Sequence, residues 1–312
     1  MKKILLAPVF FISLSLAAQD LQSFLDGPAS DQKKADSLLQ VGWRYHIRFK
    51  IDSAILLFQK GIPFALKTDN SLLKLNYYIN MSRSYRLKGN PAKSLETIRE
   101  GKAYLDKSIP ELNHAIYHLR TAQFFSDLNQ TDSALYYFDI AEKLYSRAAP
   151  YENWVVYEGI STLFSKSFVW DKAEQYLLKG YAITKPVRKR ADHGTILFLL
   201  ANFYITRDNP AKFASIANEY DSLMQDGGKS IARDPVHNLL FLDWGKHGYE
   251  DRLAFIEKSK KVNLAEGYEE GVAASNYYLS VIYEEAKAYD KALAVLKEND
   301  LKYIPANNLY RQ

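Results

Sequence analysis

The 312-residue sequence contains no cysteine, and this absence excludes several kinds of chemistry. The chain cannot form a disulfide, use a thiol as a nucleophile or bind a metal through sulfur. It also cannot carry a lipid on a cysteine after an export signal, which excludes a lipoprotein of that kind. Stability must therefore come from packing and hydrogen bonds.

Proline and glycine are scarce, and neither sign of charge is in strong excess. The sequence holds 10 prolines, 14 glycines and a formal net charge of +5. Nucleic-acid binding requires basic residues concentrated on one face, and a net charge of +5 on a chain of this length does not indicate such a face. We therefore expect no nucleic-acid partner. The apolar fraction of 47% suffices for a continuous core in a long helical array.

Motifs of catalysis and cofactor binding are absent as well. The sequence has no glycine-rich phosphate loop, no HExxH and no G-x-S-x-G. His114 and His118 stand four residues apart and would share one helix face, but no third metal ligand accompanies them, so packing is the favoured interpretation. The sequence predicts no enzyme, no catalytic residue, no cofactor and no metal site.

Long apolar runs are missing except at the N-terminus. Two lysines precede an apolar run from Ile4 to Leu16, and Ala17 and Ala18 follow it. This order is typical of a secretory signal peptide, and the run is short for an uncleaved membrane anchor. We predict that residues 1–18 are removed, that no transmembrane segment remains, and that the mature bacterial protein is periplasmic or secreted.

The sequence does contain a repeat of about forty residues. Seven positions recur at spacings of 39 or 40, and six of them are small: Gly42, Ser82, Ala122, Ser161, Ala201, Leu240 and Ser280. In six cases an aromatic residue follows three positions later: Tyr45, Tyr85, Phe125, Phe164, Tyr204 and Tyr283. In five cases a second small residue follows twelve positions later: Ala54, Ser94, Ala134, Ala173 and Ala292. Periods of this length indicate a solenoid of stacked units.

These spacings predict a pair of helices in each unit. Residues three apart share a helix face, so the first small residue admits a second helix and the aromatic fills the space one turn on. The second small residue lies on that second helix. Asn90-Pro91 and Asn209-Pro210 fall between the two helices, where asparagine caps a helix start and proline is tolerated at its first position.

The pattern resembles that of the tetratricopeptide repeat (TPR) family, W-x2-L-G-x2-Y followed by A-x3-F-x2-A. In the first unit the matching residues are Leu38, Val41, Gly42, Tyr45, Ala54, Phe58 and Gly61. The resemblance implies an all-α, right-handed superhelical α-solenoid of about seven helix-turn-helix units. The alternative is a HEAT array, whose units run about 40 to 47 residues, but the constant twelve-residue offset favours the TPR type.

The predicted solenoid spans residues 19–306, with units near 30–68, 71–108, 111–149, 151–185, 188–226, 234–264 and 267–304. The ordinary TPR period is 34 residues, so we expect one to two extra helical turns where one unit's second helix meets the next unit. The pattern is broken in unit five, which has Phe213 and Tyr220 at its second-helix positions, and in unit six. Looser or re-angled packing is expected in both units.

Residues 307–312 would be a partial cap or the start of a missing unit. We expect the protein to self-associate through that end.

In resembling proteins the first helices line the concave face. The resemblance therefore places these residues in a ligand groove: Trp43, Arg83, Arg86, Gln123, Thr162, Asn202, Phe241 and Trp244. Aromatic, arginine, amide and hydroxyl groups together suit an extended peptide. The lysine–asparagine pairs of the carboxylate-clamp subgroup are absent, which does not support a chaperone-tail adaptor.

The favoured function is a non-enzymatic scaffold of the cell envelope that binds a protein or peptide in this groove. The alternative is the sensory input region of a membrane signalling protein, such as a histidine kinase or helix-turn-helix regulator, truncated at its C-terminus. Exported arrays with long units resemble such input regions. A glycan-capture protein of the outer membrane is a third option, against which the missing lipid-bearing cysteine counts.

Overall fold

The computed structural model describes residues 23–47, 50–187, 191–225, 248–266 and 269–299. Its helices of ten or more residues are α1 (Asp31–Ile47), α2 (Ile51–Leu66), α3 (Ser71–Leu87), α4 (Pro91–Gly101), α5 (Glu111–Asp127), α6 (Thr131–Ala148), α7 (Trp154–Lys166), α8 (Trp170–Thr184), α9 (Ala191–Thr206), α10 (Pro210–Gln225), α11 (Tyr249–Glu266), α12 (Glu269–Glu285) and α13 (Tyr289–Glu298). Within these ranges no helix is both long and apolar enough to cross a membrane. The predicted signal peptide and the tail 307–312 lie outside the described residues.

The helices pack in pairs, each joined by a turn of three residues: α1/α2, α3/α4, α5/α6, α7/α8, α9/α10 and α12/α13. Successive pairs also contact one another from α1 to α10, and α11 packs on α12 as the second helix of the sixth unit. The prediction of an all-α, right-handed superhelical solenoid of helix-turn-helix units is confirmed.

One backbone hydrogen bond recurs in the turn of all six pairs. The residue just before the second helix donates its N–H to the carbonyl of the repeat aromatic five positions earlier. The donors and acceptors are Lys50 to Tyr45, Asn90 to Tyr85, Gln130 to Phe125, Val169 to Phe164, Asn209 to Tyr204 and Ala288 to Tyr283, at 2.8–3.0 Å. A bond of this span closes a helix in the Schellman manner. The donor's own carbonyl then accepts the first bond of the second helix, for example from Ala54 or Ser94. The aromatic stands three positions after the first small residue, the donor five positions after the aromatic, and the second small residue four positions after the donor. Together these steps give the offset of twelve residues seen in the sequence.

The residue before each of these donors has a positive φ in five of the turns: Gly89 (74°), Asn129 (56°), Phe168 (58°), Asp208 (48°) and Lys287 (57°). Glycine adopts this conformation freely, and asparagine and aspartate tolerate it. Phe168 and Lys287 do so only at a steric cost. The turn is therefore imposed by the packing of the helices on either side, even where the local residue disfavours it.

The two helices of a pair approach closely at the small positions. In the second unit the Ser82 hydroxyl donates to the carbonyl of Ser94 at 2.9 Å, and the Ser94 hydroxyl donates to the carbonyl of Ser82 at 3.0 Å. In the fourth unit the Ser161 hydroxyl donates to the carbonyl of Ala173 at 2.8 Å. Both helices thus satisfy polar groups across a contact that leaves no room for a large side chain.

Glycines that face aromatic rings allow close contact within a unit, at Gly42 against Phe58, and between units, at Gly61 against Tyr77. A Cβ on Gly61 would lie 2.0 Å from the Tyr77 hydroxyl oxygen, and one on Gly42 would lie 2.5 Å from the Phe58 ring. Tyr77 is fully buried on α3 and donates to the carbonyl of Ala35 on α1 at 2.5 Å. This side chain therefore crosses the face of α2 and ties the first unit to the second.

The expectation of longer helices is wrong between units two and three. Helix α4 ends at Gly101, and the chain continues as a 3-10 turn and an irregular connection to α5. Within that connection the N–H and hydroxyl of Ser108 both donate to the Asp106 carboxylate, at 2.7 and 2.5 Å. This local turn competes with helix, and Pro110 disfavours helical backbone in the residue before it.

Unit five accommodates its large residues inside the core. Phe213 is 7% exposed and Tyr220 is fully buried, and both pack with Leu197 and Leu200 of α9. Leu240, the residue of unit six that is not small, lies outside the described residues.

The turn conformation can be tested with a pair of substitutions of opposite expected effect. A Cβ added at Gly89 would meet no atom within 4 Å, so Gly89→Ala reports backbone conformation alone. We expect it to lower the free energy of unfolding by about 1 kcal/mol, and Lys287→Gly to raise it by up to about 1 kcal/mol. Urea unfolding of both variants checks this. A change of the same sign in both would contradict the described turn.

Candidate functional site

Side chains from four consecutive first helices meet on one face of the solenoid. On each helix they stand three or four residues apart, which is the spacing of a single helix face. We call this set the arginine strip, and its members are Trp43 and His46 on α1, Arg83 and Arg86 on α3, Arg120, Gln123 and Asp127 on α5, and Glu158, Thr162 and Lys166 on α7.

Trp43 joins α1 to α3 at one end of the strip. Its ring stacks on the His46 imidazole with 5.0 Å between centroids, and the Arg83 guanidinium lies 5.1 Å from the Trp43 ring centre. The Nδ1 of His46 lies 2.8 Å from the Ser84 hydroxyl, whose proton goes to the carbonyl of Asn80. His46 must therefore donate to Ser84. Burial, then the positive charges of nearby arginines, lowers the pKa of His46 to about 4.

Asp127 joins three units at the centre of the strip. Arg86 donates two hydrogen bonds to its carboxylate, and the Lys166 ammonium lies 3.0 Å from the same group. Burial alone would raise the pKa of Asp127, but its hydrogen bonds and ion pairs with Arg86 and Lys166 outweigh burial and hold that pKa below its usual value. Asp127 is therefore ionised at neutral pH and fully engaged by two cations.

Arg120 is less completely satisfied. Its Nη1 donates to the Gln123 amide oxygen at 2.8 Å, whereas its buried Nε has no acceptor. Burial and the positive charges of Arg83 and Arg86 lower the pKa of Arg120. The three arginines lie on α3 and α5, two first helices that contact each other.

Glu158 is the other carboxylate of the strip, and it accepts a hydrogen bond from the Thr162 hydroxyl at 3.3 Å. Burial raises the pKa of Glu158, against the Thr162 bond and the nearby cations. The strip thus carries four cationic side chains and two carboxylates, one of them already held by two of the cations. What remains is an excess of positive charge beside an aromatic ring, an amide and a hydroxyl.

Five of the eight predicted groove residues lie in the strip: Trp43, Arg83, Arg86, Gln123 and Thr162. Asn202 lies on α9, and none of its described contacts joins its side chain to the strip. Phe241 and Trp244 lie outside the described residues. Their place in the groove stays a prediction.

Sequence reasoning missed Arg120, Glu158, Asp127 and Lys166. Arg120 stands three residues before Gln123, and Glu158 stands four before Thr162. Asp127 and Lys166 stand four residues after the same two positions. The helical period would have found all four if the predicted face had been extended by one turn in each direction.

The two histidines noted in the sequence make packing contacts on α5. The His118 ring stacks on Tyr137 with 5.9 Å between centroids. The Nε2 of His114 lies 3.0 Å from the carbonyl of Asp106 in the neighbouring connection. An open depression of about 580 Å³ lies at this edge of the solenoid, lined by Gln32 and the connections 69–72 and 108–110, away from the strip.

The fold of this chain, rather than its sequence, connects it to known proteins. No protein-family model and no curated protein matches the sequence. A Rap protein complexed with competence and sporulation factor has a TM-score of 0.62 and 10% identity, covering 91% of this chain and 80% of that one. Aspartyl phosphate phosphatase F from Bacillus subtilis has a TM-score of 0.59 and 14% identity, covering 89% and 72%. The Rap conjugation gene regulator of plasmid pLS20 in complex with the Phr* peptide has a TM-score of 0.55 and 13% identity, covering 83% and 71%.

At such identities the likeness shows the fold alone. The resemblance to the TPR family is confirmed at the level of the fold, which is an array of helix-turn-helix units. The chain is a TPR-like α-solenoid with a charged strip on its first helices.

The lowered pKa of His46 predicts a loss of stability in mild acid. The unfolded chain binds a proton near pH 6.5, whereas the folded chain binds it near pH 4, so the free energy of unfolding falls as the pH drops through this window. His118, whose pKa burial also lowers to about 4, acts in the same direction. The slope that each contributes is at most about 1.4 kcal/mol per pH unit.

Replacing His46 with asparagine keeps a donor for Ser84 and removes the titrating ring. We expect the His46→Asn variant to show a shallower dependence of stability on pH between about 6.5 and 4, measured by urea unfolding at several pH values. An unchanged slope would mean that His46 is not buried in its neutral form.

Proposed function

We propose that this chain is a non-enzymatic scaffold of the bacterial cell envelope that binds a peptide, or an extended segment of a protein, along the face formed by its first helices. The observation that carries the proposal is the arginine strip. It runs across four units and joins helix to helix through side chains. Its excess cations, amide and hydroxyl offer donors at intervals set by the repeat.

Contacts within the chain orient the side chains of the strip. Asp127 is held by Arg86 and Lys166, and Arg83 lies against the Trp43 ring, so the donors are already oriented. A preorganised surface loses little conformational entropy on binding. The similarity to a Rap regulator in complex with the Phr* peptide supports a peptide as the class of ligand.

Binding is favoured over catalysis by the state of the carboxylates. One similar structure is described as an aspartyl phosphate phosphatase. In the strip, however, Asp127 is engaged by two cations and Glu158 is bonded to Thr162. The Glu158–Thr162 contact is longer than that of a general base with its nucleophile, and no described bond to Glu158 comes from a third group that would orient it.

The groove is tested by obstructing it. Thr162 is exposed on α7, so Thr162→Trp should fill the strip, whereas Gln175 is exposed on α8, the second helix of the same unit. Displayed random dodecapeptides are selected on the mature chain, and the affinities of the selected peptides are measured for both tryptophan variants. We expect Thr162→Trp to weaken binding at least about tenfold and Gln175→Trp to leave it unchanged, because tenfold corresponds to about 1.4 kcal/mol of lost contacts. Equal effects of the two variants would move the site elsewhere.

Export is the second part of the proposal, and it is supported by the apolar run Ile4 to Leu16 between two lysines and two alanines. Cell fractionation and N-terminal sequencing should recover a chain that begins after Ala17 or Ala18 outside the cytoplasm. A full-length cytoplasmic chain that begins at Met1 would contradict it. We also propose that the protein has no nucleic-acid partner. It self-associates, in this proposal, through its C-terminal end.

A second candidate is the sensory input region of a signalling protein. The likeness of the fold to Rap regulators favours it. A gene for a kinase or a helix-turn-helix regulator immediately downstream would favour this candidate over a free-standing scaffold.

A further inference from the structure

We propose that the strip contains a carboxylate-binding site formed by Arg83 and Arg120, and that the peptide it binds presents an acidic group there. This inference rests on the proposed peptide-binding function and specifies the chemistry of its ligand.

The first support is that neither of these two cations forms an ion pair within the chain. Among the described residues no carboxylate lies within ion-pair distance of either guanidinium. Arg83 contacts the Trp43 ring, and Arg120 bonds only to a neutral amide. Arg86, one helical turn from Arg83, does have such a partner in Asp127.

The second support is a donor without an acceptor. The Nε of Arg120 is buried and makes no hydrogen bond. An unmet buried donor on a charged group costs free energy, so Arg120 would gain from a rearrangement that brings a ligand oxygen to this group. Burial, and then the positive charges of Arg83 and Arg86, lower the pKa of Arg120, while the Glu158 carboxyl raises it.

The third support is that an arginine of the strip already binds a carboxylate of the chain itself. Arg86 binds Asp127 through two nitrogens, and Lys166 adds a third contact. A guanidinium fork matches two carboxylate oxygens in this way. Arg83 and Arg120 offer the same chemistry to a group from outside the chain.

Glu158 does not fill this role from within the chain. It accepts from Thr162 on its own helix, and none of its described bonds reaches an arginine. Burial raises the pKa of Glu158, against the Thr162 bond and the positive charges of Arg86, Arg120 and Lys166. With four cations and two carboxylates, the strip carries a net positive charge that complements an acidic ligand.

The test compares selections from one displayed library of random dodecapeptides on three proteins. These are the mature chain, the double variant Arg83→Gln/Arg120→Gln, and a control double variant, Arg99→Gln/Lys107→Gln, which loses the same charge at exposed positions outside the strip. We expect peptides selected on the mature chain and on the control to be enriched in aspartate and glutamate, and those selected on Arg83→Gln/Arg120→Gln to lose that enrichment. Circular dichroism checks that all three keep their helices.

Synthetic copies of the selected peptides then separate the two sources of a carboxylate. In one set aspartate and glutamate become asparagine and glutamine, and in the other the C-terminus is amidated. We expect one of these changes to weaken binding to the mature chain at least about tenfold, and to have little effect on the double variant, since a charge-assisted bond is worth this much.

The outcomes are distinct. Selected peptides without acidic enrichment, whose binding survives both changes, would overturn the carboxylate site and leave peptide binding standing. Failure to select any peptide on the mature chain would overturn the proposed function, and the carboxylate site with it.

Discussion

The whole array depends on the hydrogen bond between the residue before each second helix and the carbonyl of the repeat aromatic. In the six described pairs this bond spans five residues, from Lys50 to Tyr45 in the first and from Ala288 to Tyr283 in the last. It ends one helix and positions the next, so the two small residues of a unit meet. Close contact at those positions then lets units stack with their first helices side by side. Residues three or four apart on successive first helices become neighbours across units, and that proximity creates the strip.

The strip has two kinds of cation. Arg86 and Lys166 hold Asp127 and join the second, third and fourth units. Arg83 and Arg120 form no ion pair, and burial, followed by the positive charges of neighbouring arginines, lowers the pKa of each. Paired charges stabilise the surface, and unpaired ones are available for recognition. The peptide-binding proposal rests on this division.

Much of the fold could be predicted from the sequence because the spacing of the repeat residues follows from how the helices pack. The offset of twelve residues corresponds to a bond that the structure shows, and the small positions are those where helices touch, as at Ser82 and Ser94. The turn residues were less predictable. Phe168 and Lys287 adopt a positive φ that their side chains disfavour, because the helices on either side dictate the turn. The connection 105–110 also escaped prediction, since a local aspartate–serine turn replaces the expected helix there.

The candidate site could be predicted only in part. The aromatic and arginine positions after the small residues were found, but Arg120 and Glu158 lie one turn earlier on their helices. The role of these residues depends on which charged groups form ion pairs. Ion pairs between units cannot be read from the spacing of residues along the sequence. Asp127 illustrates this, because its partners stand 41 and 39 residues away.

The most direct test of the central claim follows the arginines themselves. The mature chain, labelled with ¹⁵N in its arginine side chains and assigned by single substitutions, is titrated with an acidic peptide that it selects. The Nε–H resonances of Arg83 and Arg120 should shift together over the same peptide concentrations, while that of Arg86, already held by Asp127, should shift less. Unmoved Arg83 and Arg120 resonances, with shifts confined to arginines outside the strip such as Arg99 and Arg147, would contradict the account.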